Sequence, residues 1–296
     1  MKQADIASSL EKLHDTKRAR EFRGVVVEHI SKNVPTKKVA VLLSGGVDSH
    51  VALFGALLAN KKPHIYSFSL EGVDSRDFRT ARRTASVLGL PFTHIELPTD
   101  IDVLKRYVWD IHHSYMEGVY LSKTTVECCW PIMHSINAIE EANVLTGLGG
   151  DIPYCSSRSA KKQYLAGNYQ EYLKMGLRLI LKGRDAQTMF RNNYCEIEKK
   201  RLRFHSPLFA KEMLHVFSNF DPFVEGNKPI QKAVSRAAFW DFFKHPDIRV
   251  YGQQPFQKGD TGIETLFGQL LQTNWHIRGK TVRSVYSAVA NHEVTL

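Results

Sequence analysis

Short apolar runs recur along the first half of the chain, at residues 39–43, 64–70, 92–97 and 143–147. Between them the apolar positions change to helical spacing, over residues 48–59, 75–88, 101–115 and 131–142. In the second of these stretches Phe78, Ala81, Ala85 and Leu88 mark one face. Strands alternating with helices predict a parallel sheet covered on both sides. Val39-Ala40-Val41-Leu42-Leu43 has no polar alternation at all, which suits a strand buried on both faces. The pattern predicts a doubly wound α/β fold.

On either side of this region the periodicity differs. Residues 6–30 read as one helix, with Ile6, Leu10 and Leu13 at helical spacing, closed by Pro35. Beyond Ser156 no strand pattern is visible. The chain there reads as helices over residues 162–181, 207–217, 229–243 and 262–275, separated by polar turns with Gly or Pro. Three segments are expected: a helical leader (1–35), an α/β core (36–155) and a mostly helical C-terminal lobe (156–296). Neither a repeat nor a low-complexity linker divides them, so one compact unit is expected.

Composition narrows the setting more than the function. The chain has 296 residues, 43% hydrophobic, and no apolar run approaches the ~20 residues of a membrane span. Its N-terminus is rich in charge and lacks the apolar stretch of a secretion signal. Cys128, Cys129, Cys155 and Cys195 make no disulfide framework and no C-x-x-C pair, so buried thiols in a reducing cytoplasm are expected. Forty basic and 30 acidic residues give a net charge of +10. Such an excess attracts nucleotides and other polyanions without naming one. The basic residues are scattered as solvated faces rather than gathered in a nucleic-acid track, apart from a cluster at residues 199–203.

The chemistry concentrates where the first buried strand ends. Leu43-Ser44-Gly45-Gly46-Val47-Asp48-Ser49 leads directly into a helix. Two glycines let the backbone turn with its amides facing inward. The helix adds unpaired N–H groups and the positive end of its dipole, and Ser44 and Ser49 add hydroxyls. Such a loop is complementary to phosphate oxygens, and it stands where open α/β sheets bind ligands. It is neither G-x-x-x-x-G-K-[ST] nor G-x-G-x-x-G.

The segment Ser44-Gly45-Gly46-Val47-Asp48-Ser49 resembles the PP-loop of the ATP pyrophosphatases, which cut ATP between its α- and β-phosphates. Thr146-Gly147-Leu148-Gly149-Gly150-Asp151-Ile152-Pro153 resembles the second glycine element of the asparagine synthetase-like branch, closest in wording to β-lactam synthetases. Ser67-Phe68-Ser69-Leu70 with the helix after Asp74 resembles that branch's adenine side. Gln254-Pro255-Phe256-Gln257-Lys258-Gly259-Asp260-Thr261-Gly262 resembles its late lysine loop. The resemblance implies an adenine nucleotide alpha hydrolase-like fold and spans roughly residues 36–265.

What the resemblance implies can be placed residue by residue. Leu43 to Ser49, with Gly147 and Gly149, would hold the phosphates of ATP. Ser69 and Leu70 would line the adenine site. Asp48 and Asp151 would hold Mg2+, whose preference for oxygen ligands fits two carboxylates beside phosphates. Lys258 would be catalytic, facing the α-phosphate in its transition state. Arg158 is a further candidate phosphate contact, while His50 and the pair His112-His113 are read as core or surface residues.

Two departures stand out. Leu148 occupies the place of the branch's Glu or Tyr, and a leucine cannot deprotonate an amine. The branch carries an N-terminal glutaminase domain, whereas residues 1–35 alone precede the first strand here. The nitrogen is therefore expected from free ammonia, from another amine, or from a separate ammonia-supplying partner.

The leading expectation is an AMP-forming C–N ligase that joins a small carboxylate to an amine. A PP-loop enzyme adenylating a carbonyl oxygen of RNA or a nucleobase is the alternative, favoured by the net charge. A nucleotide sensor without turnover is a third reading, to which only Leu148 points.

Overall fold

The computed structural model describes residues 3–114, 123–154, 158–181, 202–223, 230–251 and 260–272. Its centre is a five-stranded parallel sheet of order β3-β2-β1-β4-β5. The strands are β1 (Lys38–Leu42), β2 (Lys62–Leu70), β3 (Phe92–Leu97), β4 (Asn143–Leu145) and β5 (Arg203–His205). The unalternating run at β1 is the central strand, as its composition predicts. Val39 and Val41 enter one core and Ala40 and Leu42 the other, all at 8% exposure or less.

α3 (Val47–Leu58) follows β1, α4 (Arg76–Leu88) follows β2, and α5 (Ile101–Ser114) follows β3. The Ser75 hydroxyl caps α4 by accepting from Phe78 N (3.2 Å), and Gly89 closes it in the left-handed region at φ 62°. The predicted helix at 131–142 is displaced: α6 runs Lys123–Ser135 with Pro131 inside it, followed by a short 3-10 turn, Ile136–Ala138. Proline reads as a helix start in sequence, but an existing helix can carry it at the cost of a backbone bond.

The predicted leader helix is two helices, α1 (Gln3–His14) and α2 (Lys17–Asn33). Thr16 breaks the run because its side chain caps α2, accepting from Ala19 N at 3.3 Å. Phe22, Val26 and Ile30 of α2 are buried against α3 in the larger core.

Past residue 156 the described elements are mostly helical: α7 (Arg158–Leu165), α8 (Tyr169–Leu181), α9 (Met213–Val216), α10 (Ala233–Ala238), α11 (Trp240–Phe243) and α12 (Ile263–Gln272). A 3-10 turn, Pro207–Phe209, precedes α9. The expected helix at 162–181 is split at Gly167, which has φ 76°. One expectation is corrected here, because β5 supplies the sheet with a strand from beyond residue 156. Arg203-Phe204-His205 pairs in parallel with Asn143-Val144-Leu145. Three residues are too few to show a period, and the position exists only because β4 offers an edge.

The order of the strands places the site. From β1 the chain winds outward through β2 to β3, then returns across the sheet to β4 beside β1. The loops after β1 and β4 thus leave neighbouring carboxyl ends, the switch point where such sheets form a crevice.

Gly55 of α3 is where α2 comes closest, since an added Cβ would lie 2.5 Å from Val26 Cγ1 and 3.0 Å from Ile30 Cδ1. Gly24 of α2 has open space instead. Gly55→Leu is expected to cost roughly 1–3 kcal/mol by overpacking, whereas Gly24→Leu should be neutral or stabilising. Urea denaturation of the two variants reads the difference, and equal effects would disprove the docking of α2 on α3.

Candidate functional site

The first glycine loop is held from all sides. Gly45 N–H donates to Asp77 Oδ1 (2.9 Å), and Gly45 O accepts from Tyr251 N–H (3.2 Å). A Cβ on Gly45 would fall 2.4 Å from Asp77 Oδ1, so glycine is required by contact. Ser44 N–H donates to Ser49 Oγ (3.2 Å) and Gly46 N–H to Ser44 Oγ (3.2 Å). The loop's own serines thereby set its curvature, and the two hydroxyls stand 3.1 Å apart. Burial pushes the Asp77 carboxyl above its usual range, opposed by the Gly45 amide.

The N-terminus of α3 follows at once. Gly46 is its N-cap and supplies no side-chain acceptor. The first-turn amides of Val47, Asp48 and Ser49 therefore keep the unpaired N–H groups of a helix start, at the positive end of its dipole. The Leu43 and Val47 side chains are buried in the core, so these residues serve the loop through their backbone.

The second glycine loop packs directly onto the first. A Cβ on Gly147 would come within 2.4 Å of Ser49 N, and one on Gly150 within 2.3 Å of Asp48 Cγ. Gly149, at φ 87°, lies against the Phe209 ring, which a Cβ would overlap. Ser206 Oγ donates to Leu148 O at 2.6 Å. On the side where a Cβ would stand, Gly147 faces the backbone of α3 and Gly149 the ring of Phe209. Their absence of side chains lets the loops touch.

That contact brings Asp48 and Asp151 together, as expected, around a group the sequence reading missed. Lys232 Nζ bonds both carboxylates, Asp48 Oδ2 at 2.5 Å and Asp151 Oδ1 still closer. The lysine side chain is 5% exposed, Asp48 18% and Asp151 56%. Asp48 Oδ1 is enclosed and has no hydrogen-bond partner among the described residues. Burial pushes the Asp48 carboxyl up to about 6, with Lys232 opposing and Asp151 adding to the rise. For Lys232, burial favours the neutral amine, yet the two carboxylates outweigh it and hold the ammonium above its usual range.

Lys232 reaches this position on a backbone at φ 53°, ψ 44°, the left-handed region, immediately before α10. Tyr154 fixes the turn. Its hydroxyl accepts from Ser235 N (3.1 Å) and lies 2.7 Å from Ser235 Oγ, so it acts as a cap for α10. The sequence held one signal: Lys232 and Arg236 are the two cations, four residues apart, of a stretch from Ile230 to Phe239 that is otherwise uncharged.

Other expected residues fare differently. Ser69 Oγ is bonded to His94 Nε2 at 2.8 Å, and Leu70 is buried against Gly262, whose Cβ would lie 2.9 Å from Leu70 Cδ1. Both stand at the carboxyl end of β2, on the same edge as the loops. Lys258, the side chain of Arg158 and those of His112 and His113 lie outside the described residues. His50 is a core residue, as read. Its Nδ1 donates to Gly46 O (2.8 Å) and its Nε2 accepts from Thr84 Oγ1 (3.0 Å).

With the loop at the switch point of a 3-2-1-4-5 parallel sheet, the fold is adenine nucleotide alpha hydrolase-like and the enzyme is of the PP-loop, ATP pyrophosphatase type. The chain belongs to the asparagine synthase family, whose model matches residues 21–243. No curated protein matches it. Among solved structures it is similar to a predicted subunit of tRNA methyltransferase from Methanocaldococcus jannaschii, at 20% identity over 74% of this chain and 94% of that one, TM-score 0.32. It is also similar to the U34-tRNA thiolase NcsA from Methanococcus maripaludis, which carries a [4Fe-4S] cluster. There the identity is 14% over 94% of this chain and 89% of that one, TM-score 0.37.

Two outcomes follow from the geometry. Gly150→Ala should displace the Asp48 carboxylate from Lys232 and lower the urea denaturation midpoint, while the circular dichroism spectrum stays unchanged. Burial pushes His50 down to about 4 from 6.5, so the folded chain binds fewer protons than the unfolded chain between these values. The stability this confers is complete above pH 6.5 and is lost as pH falls through 4. His50→Gln should make the fall in denaturation midpoint between pH 6.5 and 4 shallower; an unchanged slope would count against a neutral buried His50.

Proposed function

We propose that the chain adenylates a small carboxylate with ATP and transfers the acyl group to an amine, releasing AMP and pyrophosphate. The observation that carries this reading is the carboxylate pair, Asp48 and Asp151, gathered around a cation against an uncapped helix start. Two hard oxygen donors, one with an unsatisfied buried oxygen, suit a divalent cation that takes its remaining ligands from phosphate. Asp48 and Asp151 would hold Mg2+, which when bound neutralises charge on the phosphate oxygens.

The loop binds the β- and γ-phosphates through the first-turn amides of α3 and the hydroxyls of Ser44 and Ser49. A carboxylate oxygen of the substrate attacks the α-phosphorus, and the bond from that phosphorus to the bridging oxygen breaks. Pyrophosphate leaves with the electron pair. Lys232 offsets its charge from the α10 side, and Lys258 is proposed to face the α-phosphate. The amine nitrogen then attacks the acyl carbon, the acyl–oxygen bond to AMP breaks, and the nitrogen's proton passes to solvent. Leu148 offers no base for it, so the amine is activated by a residue of the helical lobe or arrives already neutral. Ser69 and Leu70 are proposed for the adenine side through their backbone, since the serine hydroxyl is engaged by His94.

The net charge of +10 favours a second acceptor class, an RNA or nucleobase carbonyl oxygen activated in the same way. RNA-stimulated, salt-sensitive AMP release would select it. For the main reading, labelled pyrophosphate should exchange into ATP only when the right carboxylate is present. Asp48→Asn should lower that exchange by about a hundredfold or more. Formation of ADP in place of AMP, or exchange untouched by Asp48→Asn, would overturn the proposal.

A further inference from the structure

Arg236 is a half-buried cation that meets no carboxylate among the described residues. Its backbone N–H donates to Lys232 O (3.0 Å), so it lies one turn beyond that lysine in α10. Residues four apart share a helix face. The guanidinium is half-buried, and its Nε is enclosed without a hydrogen-bond partner among the described residues. Burial alone lowers its pKa, with no carboxylate acting against the shift. Guanidinium groups out of water are ordinarily matched by carboxylates, because an uncompensated buried charge is costly. One that persists unmatched is suited to an anion that arrives from outside.

Position says which anion. Arg236 is close enough to His50 for its charge to help push that imidazole down. His50 in turn holds the Gly46 carbonyl at 2.8 Å. Arg236 therefore stands one turn along α10 from the lysine that meets Asp48 beside the loop. Charge points the same way. Two carboxylates already engage the Lys232 ammonium, so a second cation on α10 would add to the positive charge that helix offers a phosphate.

We propose that Arg236 binds the outer phosphates of ATP, and the pyrophosphate they become, as a second cationic arm of α10. This rests on the PP-loop reading above and adds to it a residue that selects the diphosphate end of the nucleotide. A planar fork suits two phosphate oxygens at once, which an ammonium cannot match.

Calorimetry on the full chain with Mg2+ and inorganic pyrophosphate, with Mg2+ and ATP, and with AMP tests it in wild type, Arg236→Gln and Arg236→Lys. Arg236→Gln should bind pyrophosphate and ATP about ten- to a hundredfold more weakly, the loss of one charged hydrogen-bond set, and bind AMP unchanged. Its melting temperature should hold or rise, since an unmatched buried charge has gone. Arg236→Lys should recover part of the affinity. Equal losses for pyrophosphate and AMP together with a lower melting temperature mark a structural arginine and overturn the proposal. If wild type binds pyrophosphate and ATP and Arg236→Gln binds them equally well, this inference alone falls. If wild type binds neither, the PP-loop reading fails and this falls with it.

Discussion

Contact between two glycine loops at the switch point is the constraint on which the site depends. Gly147 and Gly150 lie so close to the start of α3 that any side chain there would enter the Ser49 backbone or the Asp48 carboxylate. Only because of that closeness do Asp48 and Asp151, 103 positions apart by subtraction, share one ammonium. The sheet order supplies the approach, since β4 returns to lie beside β1. The glycines supply the last few ångströms.

The helical C-terminal part is as much a component of the site as the α/β core. Lys232 holds the carboxylates from the left-handed turn before α10, and Tyr154, from just after the second glycine loop, caps that helix. The two regions therefore fix each other: the loop that presents Asp151 also carries the hydroxyl that orients Lys232. Burial raises the Asp48 carboxyl and would neutralise the lysine, yet each remains beside its opposite charge. Breaking one partner of such a set typically costs about 3–5 kcal/mol, because the other is left uncompensated. A divalent cation and a phosphate could instead relieve the arrangement by taking over the carboxylates and the ammonium respectively.

Rigidity around the loop comes from groups that never face the cavity. His50 is tied to Gly46 and Thr84 and packed among Phe54 and Phe243. Asp77 holds the Gly45 amide, and Tyr251 holds its carbonyl. With Gly45 N–H so occupied, the free donors are the amides at the start of α3, which point along the helix axis. The loop is shaped before any nucleotide arrives, which lowers the entropy lost on binding.

The sequence by itself determined the parallel sheet, its central strand and the glycine loop that opens α3, and it singled out the two aspartates that meet there. Each is written in a short stretch: an unalternating apolar run for β1, two adjacent glycines before a helix, a second glycine cluster ending in Asp151. Local backbone geometry fixes what such stretches can do, so they are legible without a fold. The tertiary structure alone decided the rest. β5 is three residues long and exists because β4 presents unpaired backbone groups. Thr16 divides the leader helix by a single cap, and α6 accommodates a proline that reads as a beginning. Lys232, Asp77 and Arg236 have no motif around them, and their meaning lies in what they meet: carboxylates, an amide and, for the Arg236 Nε, no partner among the described residues. Burial and charge pairing are relations between distant segments, and no spacing along one segment encodes them.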